Sequence, residues 1–331
     1  MLDFQQMNLV SIIIPFKNPG RYFKPCLESI KNQTYQHFEV LMIDDHSDKE
    51  DVEVAKMAQM KDERFQLHRS NGLGIISALQ TGLDLAKGDL ISRMDADDLM
   101  TKDKIELMRN ALLRSNKKSV CTALVSYFAS EKNMQEGFLK YETWLNKLTT
   151  KESNFTQIYK ECTIPSPCWM AKKIDIENIG GFKSLSYPED YDLAFKMFYS
   201  KFKIVSVKKV LHYWRDHPNR ISRTSETYKM ENFTPLKIKY LLENEIKREQ
   251  VILWGAGKKG KHVAKQLLEK KVPFDWITEN PNKKGKSIYG KFVQDLSRLK
   301  NENQKVIICA ISQKGFEIPS NSNFNRYISF Y

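Results

Sequence analysis

The chain has 331 residues, enough for two domains that each bury a core. Its 41% hydrophobic and 28% charged residues are typical of a globular protein, and no apolar run approaches the ~20 residues that cross a bilayer. Five scattered cysteines without a Cys-x-x-Cys pair argue against a disulfide framework or a zinc site. The first residues also lack the pattern of a secretory signal, so we expect a cytoplasmic protein.

The net charge of +13 is unevenly distributed. Residues 231–331 hold 19 Lys and Arg against 10 Asp and Glu, which leaves +4 for the first 230 residues. Such a basic part suits nucleic acid, anionic lipid head groups or phosphorylated ligands. Because the lysines are spread along the sequence, a solubilising surface is favoured and no nucleic-acid partner is expected. Peripheral contact with an anionic inner membrane face is a hypothesis from this charge.

The most informative stretch is the acidic run Asp95-Ala96-Asp97-Asp98. It follows the apolar run 90–93, predicted to be a buried strand, and precedes a predicted helix start. The acids therefore fall at the carboxyl end of a strand, where open α/β sheets bind ligands. Oxygen ligands at this spacing suit Mn²⁺ or Mg²⁺, which can hold a diphosphate. The alternative is a solvated acidic turn that caps the next helix.

Strand and helix patterns alternate through the first half of the chain. Predicted strands cover 9–14, 38–43, 65–68, 90–93 and 119–128, and predicted helices cover 21–32, 48–60 and 75–86. This alternation predicts a doubly wound, mainly parallel sheet. The pair Asp44-Asp45 also follows a strand, so both acidic groups should line one crevice.

Four motifs in register resemble the N-terminal half of family 2 glycosyltransferases with a GT-A fold. They are Val10-Ser11-Ile12-Ile13-Ile14-Pro15, Asp44-Asp45-His46-Ser47, Asn71-Gly72-Leu73-Gly74 and Asp95-Ala96-Asp97-Asp98. The resemblance covers about the first 220 residues and implies a mixed, mainly parallel sheet between helices.

The resemblance also implies site roles. Donor and nucleotide binding falls to Pro15, Asn18, Asp44, Asp45, Asn71, Asp95, Arg215 and His217. Metal binding falls to Asp95 and Asp97, with Asp98 adjoining. A carboxylate such as Asp45 can accept a hydrogen bond from a base N–H. The sequence departs from the family at Lys17, where an aromatic residue is common, and the alternative for 44–47 is a helix-capping turn.

Two later motifs complete the predicted site. In Tyr187-Pro188-Glu189-Asp190, the resemblance implies that Asp190 is the general base, with Glu189 beside it. The alternative is that both acids only cap a helix that begins after Pro188. Residues 211–223 resemble a loop over the diphosphate, where Arg215 and His217 can donate to phosphate oxygens. A surface turn with a buried Trp214 is the alternative.

The C-terminal part predicts a second α/β unit. A strand at 251–254 runs into Gly255-Ala256-Gly257-Lys258-Lys259-Gly260 and a helix, and the strand 274–278 ends before Glu279. This is the phosphate-binding pattern of dinucleotide folds, with Glu279 placed to bind a ribose. It looks like a Rossmann-type domain, either nucleotide-binding or purely architectural. The expected boundaries are 1–225 for the GT-A domain, 226–249 for a helical linker and 250–331 for this domain.

These observations predict an inverting, metal-dependent glycosyltransferase. Its partners would be a nucleoside-diphosphate sugar and a glycan or lipid-linked hydroxyl acceptor in cell-surface polysaccharide assembly. One alternative is an inactive nucleotide-sugar sensor. Another is a nucleotidyltransferase, although 16–20 does not resemble a glycine-rich, basic phosphate loop.

Overall fold

The computed structural model describes residues 8–129, 136–218, 220, 230–300, 304–311, 316–322 and 325–331. The chain divides into two compact units, Met1–Thr156 with Thr163–Thr224, and Gln157–Cys162 with Ser225–Tyr331. The helix expected as a linker lies inside the second unit. No helix among the described residues is long and apolar enough to span a membrane.

The first unit contains one sheet of eight strands, in the spatial order β3-β2-β1-β4-β7-β6-β8-β5. The strands are β1 Val10–Phe16, β2 Phe38–Asp44, β3 Phe65–Arg69, β4 Leu90–Arg93, β5 Leu99–Met100, β6 Ser119–Ala129, β7 Trp169–Lys172 and β8 Lys203–Asp216. The helices are α1 Phe23–Lys31, α2 Lys49–Lys61, α3 Ile75–Leu85, α4 Lys104–Leu113, α5 Glu136–Thr150, α6 Lys173–Asn178 and α7 Glu189–Tyr199. Two 3₁₀ turns cover Gly20–Tyr22 and Asn154–Gln157.

Strands β1 to β4 form the expected parallel half of the sheet. All residues of β1 and β2 are buried, as the apolar runs predict for strands covered on both faces. Strand β1 does not end at Pro15 but continues to Phe16. Strand β4 pairs with β1 only as far as Ile13, so Pro15 lies where β1 has one neighbour and a missing N–H is tolerated.

The other half of the sheet is mixed. Strand β7 is antiparallel to β4 and β6, β8 is parallel to β6, and β5 is antiparallel to β8. The prediction of a loop from residue 211 onward is wrong up to Asp216, because 211–216 form the end of β8. The β6–β8 register shifts twice, and Lys208 and Lys209 lie exposed at the first shift. This interruption hides the strand pattern in the sequence.

The second unit contains a smaller sheet of six strands, in the order β11-β12-β10-β9-β13-β14. Its strands are β9 Gln250–Trp254, β10 Asp275–Ile277, β11 Ser287–Ile288, β12 Lys291–Gln294, β13 Lys305–Cys309 and β14 Asn325–Ser329. Its helices are α8 Met230–Asn244 and α9 Lys258–Glu269, with a 3₁₀ turn at Leu296–Lys300. All neighbouring strands are parallel except β11 and β12.

Candidate active site

The loops that follow β1, β2 and β3 are held together around Asp45. This side chain is almost fully buried, and its Oδ1 accepts a hydrogen bond from the backbone N–H of Gly74 at 2.8 Å. The Asn18 N–H donates to Ser47 Oγ at 3.2 Å, which joins the first loop to the second. The Lys17 ammonium lies 3.9 Å from Asp45 Oδ2. The parallel topology thus brings three predicted motifs to one sheet edge.

The other predicted donor residues have more local contacts. The Asp44 Oδ1 atom accepts the Ser47 N–H at 2.7 Å, the contact expected of a turn-stabilising carboxylate. Pro15 is buried within β1, whereas Asn71 is exposed. The backbone N–H of Asn71 donates to Thr81 Oγ1 at 3.1 Å. Asp45 thus joins different loops, whereas Asp44 stabilises its own loop, and the binding of a base by either residue stays a prediction.

The three acids after β4 have different surroundings. Asp95 and Asp97 keep 24% and 25% of their side chains exposed. Asp97 Oδ2 lies 2.9 Å from His217 Nε2. Asp98 is buried, and both of its oxygens are occupied, by the Arg215 N–H at 2.7 Å and by His212 Nε2 at 2.9 Å. This arrangement favours Asp95 and Asp97 as metal ligands and does not favour Asp98.

The acids also differ in protonation. Burial raises the pKa of Asp95, against the charge of Arg93. Burial acts in the same direction on Asp97, but the hydrogen bond from His217 and the charge of Arg220 lower the pKa of this carboxyl overall. Asp97 is therefore the better-stabilised anion of the pair.

Arg93 connects the two predicted chemical centres. Its guanidinium donates to Asp95 Oδ1 at 2.9 Å through Nε and to Glu189 Oε1 at 3.0 Å through Nη1. Arg93 and Glu189 are both buried, so the pair is shielded from water. The sequence analysis missed this role, because Arg93 lies at the end of an apolar run and only the fold brings Glu189 to it.

Asp190 lies at the start of α7, beside a small cavity. Other lining residues are Arg93, Ser166, Trp169 and Leu193. Burial, followed by the charge of Glu189, raises the pKa of Asp190 from its ordinary value of 3.8 to about 7. The Ser166 Oγ atom is buried and has no hydrogen-bond partner in the part of the chain that the structure describes. A carboxyl with this pKa can take up a proton near neutral pH.

Arg215 and His217 share an aromatic platform. The Tyr22 ring lies 4.6 Å from the His217 ring, and the Arg215 guanidinium is 4.8 Å from the Tyr22 centroid and 4.5 Å from that of Phe128. Arg215 Nε donates to the Asp97 carbonyl at 2.6 Å. Its two terminal nitrogens make no hydrogen bond to any residue that the structure describes, which leaves them able to bind an anion.

Arg220 adds a further cation to this group. Its guanidinium is near the rings of Tyr127, Phe138 and Trp214, and its charge acts on the Asp97 carboxyl. The sequence shows a cation-rich stretch here but does not indicate which cation faces the acids. Residues 219 and 221–223 of the predicted loop lie outside the described residues.

The donor set fits a hard divalent cation. No three His, Cys, Asp or Glu side chains of the described residues form a complete metal cage. Mg²⁺ commonly takes one or two carboxylates and completes its coordination with substrate phosphates and water, so a cage is not required. Asp95 and Asp97 supply two partly exposed carboxylates, each of which has an oxygen that is not bonded to Arg93 or His217.

The glycine turn of the second unit has the backbone form that the sequence predicts. Gly255 has a φ of +117°, and a Cβ on Gly260 would lie 1.9 Å from the Gly255 carbonyl oxygen. A Cβ on Gly257 would meet nothing within 4 Å, so this position is open to a ligand. Glu279 is exposed beyond β10. Nucleotide binding at this turn stays a prediction.

Comparison with known proteins shows the family to which the chain belongs. Residues 11–180, just over half of the chain, match the model of Glycosyl transferase family 2. The chain belongs to this family. It is therefore a glycosyltransferase with an α/β fold of the GT-A type.

Individual relatives agree with this assignment. Glycosyltransferase GlyG of Streptococcus pneumoniae is 25% identical over 222 residues, which cover 65% of this chain and 73% of GlyG. A structure of S. aureus TarS 1–349 in complex with UDP-GlcNAc superposes with a TM-score of 0.55 at 16% identity, over 78% of this chain and 71% of that one. The mannosyltransferase PcManGT from Pyrobaculum calidifontis, in complex with GDP-Man and Mn²⁺, gives 0.51 at 16% identity, over 71% and 63%. The likeness to these structures shows the fold, and the chain spans 40% of a longer TarS structure.

Proposed function

We propose that the chain transfers a sugar from a nucleoside-diphosphate sugar to a hydroxyl acceptor, with inversion at the anomeric carbon. The observation that carries the proposal is the Arg93 bridge, which fixes the loop of Asp95 and Asp97 against the helix start that bears Asp190. This contact supports the proposal that the acids of the donor site and the candidate base act together. The relatives that bind UDP-GlcNAc and GDP-Man support a nucleotide-sugar donor.

The donor would bind along the strand-end loops. Asp45 is the candidate to accept a hydrogen bond from a base N–H, and Lys17 beside it can contact the base or a phosphate. The terminal nitrogens of Arg215 would donate to diphosphate oxygens, with His217 beside them on the Tyr22 platform. These contacts orient the sugar with its anomeric carbon toward Asp190.

Asp95 and Asp97 would hold Mn²⁺ or Mg²⁺, as the Mn²⁺ complex of PcManGT supports. When bound, the ion supplies positive charge that offsets the charge of the departing diphosphate. Glu189, already paired with Arg93, would act as a positioning residue rather than as a base.

Asp190 would act as the general base. The acceptor oxygen forms a bond to the anomeric carbon while the bond from that carbon to the diphosphate oxygen breaks. The leaving diphosphate takes the bonding electrons, and the acceptor proton moves to an Asp190 oxygen. One base suffices, unlike the two carboxylates of inverting glycosidases. The acceptor class, a glycan or lipid-linked hydroxyl, and contact with a membrane surface stay proposals.

Within this proposal, residues 1–225 form the transferase domain. Residues 250–331 form a Rossmann-like domain that binds a nucleotide at Gly255, Gly257, Gly260 and Glu279 or is architectural, after a helical segment at 226–249. The open Gly257 supports the first of these two roles.

A binding screen tests the proposed function. UDP-, GDP-, CMP- and dTDP-sugars are added with and without Mn²⁺, and thermal unfolding is followed. A ligand at a hundred times its Kd stabilises the native state by about 2.7 kcal/mol. We expect one nucleotide class to raise the Tm in a metal-dependent way, with loss of the effect in Asp97→Ala and retention in Asp84→Ala, an exposed control on α3.

Product analysis with that donor separates the alternatives. Release of a nucleoside diphosphate from that donor supports transfer of the sugar, whereas transfer of the nucleotidyl group would release a sugar 1-phosphate and would indicate a nucleotidyltransferase. Binding without turnover for every donor and acceptor would indicate a sensor and contradict the proposal.

A further inference from the structure

A fully buried lysine lies behind the acidic loop. Lys104, at the start of α4, has no exposed surface, and its ammonium donates to the Pro167 carbonyl at 2.7 Å. It also lies 3.1 Å from Nδ1 of His212, another fully buried residue. A buried ammonium is costly unless it is hydrogen-bonded and its charge is offset by an anion. Lys104 therefore needs a negative partner nearby.

The bonding pattern identifies that partner. An ammonium has only donors, so Nδ1 of His212 must accept, and in the neutral imidazole Nε2 then carries the hydrogen. This Nε2–H donates to Asp98 Oδ2 at 2.9 Å. Lys104 and Asp98 are thus joined through the two nitrogens of one neutral imidazole. The tautomer of the His212 ring follows from the Lys104 ammonium, which can only donate hydrogen bonds.

The relay ends at residues of the proposed donor site. The second oxygen of Asp98 accepts the Arg215 N–H at 2.7 Å, and Arg215 Nε in turn donates to the Asp97 carbonyl at 2.6 Å. At the other end of these hydrogen bonds, Lys104 donates to the carbonyl of Pro167. This residue follows Ser166 in the sequence, and Ser166 lines the cavity beside Asp190. One chain of hydrogen bonds therefore joins the loop of Ser166 and Pro167, beside Asp190, to the acids of the proposed donor site.

We propose that Lys104 is a positioning residue for sugar transfer, acting through His212 and Asp98 to set the placement of Arg215 and Asp97. The inference rests on the proposed function, since it assigns Arg215 and Asp97 to the donor. A lysine that served only the fold would affect stability and leave the donor kinetics of the folded enzyme unchanged.

Kinetics of lysine variants test the inference. Lys104→Met removes every donor but keeps an unbranched apolar side chain. Loss of partners that orient a site typically costs about 10–100-fold in affinity or activity, and we expect a fall of this size in donor kcat/KM. Lys104→Gln keeps an amide donor and should recover part of the loss; it also serves as the test variant if Lys104→Met does not fold. Lys209→Met is the matched control, because Lys209 is more than half exposed and its ammonium pairs with Asp103.

A double-mutant cycle identifies the route. If Lys104 acts through Asp98, Lys104→Met should cost little more in an Asp98→Asn background, because the end of the relay is already altered. Unchanged donor kinetics in folded Lys104 variants, or losses that multiply in the double variant, would overturn the inference alone. Absence of donor turnover in both the wild type and Lys209→Met would overturn the proposed function and this inference with it.

Discussion

At the scale of single residues, Asp190 combines partial burial with a neighbouring carboxylate. These two causes, in that order, raise the pKa of Asp190 to about 7. Glu189 next to it is held by Arg93 at 3.0 Å. The adjacent acids thus differ in their surroundings, since Glu189 is paired with Arg93 and Asp190 can exchange a proton near neutral pH.

The pKa of Asp190 predicts a pH dependence of activity. A general base must be ionised to accept a proton, so donor kcat/KM should rise with pH through about 7 and then level off. The measurement is a pH profile of turnover with saturating metal. A decrease in donor kcat/KM as pH rises through this range would indicate that the reaction requires a protonated acid and not an ionised base.

The raised pKa of Asp190 also predicts that stability falls as pH rises, whereas activity increases. Because the folded state raises the pKa of Asp190, the carboxyl stabilises the fold most below its unfolded value of 3.8 and loses this contribution as pH rises through about 7. Asp190→Asn cannot ionise, so its Tm should exceed that of the wild type at about pH 8 and approach it at about pH 5. Thermal unfolding of both proteins at both pH values checks this. A Tm of Asp190→Asn below that of the wild type at the higher pH would contradict it.

A variant of Arg93 tests the contacts of this residue with Asp95 and Glu189. Removing one partner of a buried ion pair leaves an uncompensated charge and typically costs about 3–5 kcal/mol. We expect Arg93→Met to lower the free energy of unfolding by about this amount and to weaken metal-dependent donor binding. Lys56→Met, at an exposed pair with Glu53, is the control and should change little. Urea unfolding measures both variants.

At the scale of elements, backbone contacts in the second unit decide which glycines can change. A Cβ on Gly260 would lie 1.9 Å from the Gly255 oxygen, so the start of α9 could not keep its place against the turn. Overpacking typically costs about 1–3 kcal/mol or more. Gly260→Ala should therefore speed hydrogen exchange in β9 and β13, while Gly257→Ala, which meets open space, should not. Equal exchange in the two variants would contradict this account.

The parallel elements could be predicted from sequence because they are short, apolar and bounded by turn residues. Strands β1 to β4 and the helices between them follow this pattern. Strand β8 could not be predicted, since its register shifts leave Lys208 and Lys209 exposed in the middle of a strand. The resemblance to family 2 glycosyltransferases indicated Asp45, Asp95, Asp97 and Asp190 as candidate site residues. The roles of Arg93, Tyr22 and Lys104 depend on contacts between residues far apart in sequence, which spacing does not contain.

At the scale of the whole molecule, the chain combines a transferase unit with a second α/β unit. The surplus of Lys and Arg falls mainly on the second unit, while the candidate site in the first is acidic. The two units therefore differ in the charge of their surfaces. The function proposed for the first unit does not depend on a ligand of the second.

The most direct test of the account is the anomeric configuration of the sugar that wild type and Asp190→Asn release or transfer from an α-linked nucleotide sugar. Proton NMR at early times reads this configuration before the free sugar equilibrates. We expect the β-anomer from the wild type, and no product from Asp190→Asn, although calorimetry should show that the variant still binds the donor. An α-product, or turnover that survives in Asp190→Asn, would contradict inversion with Asp190 as the base.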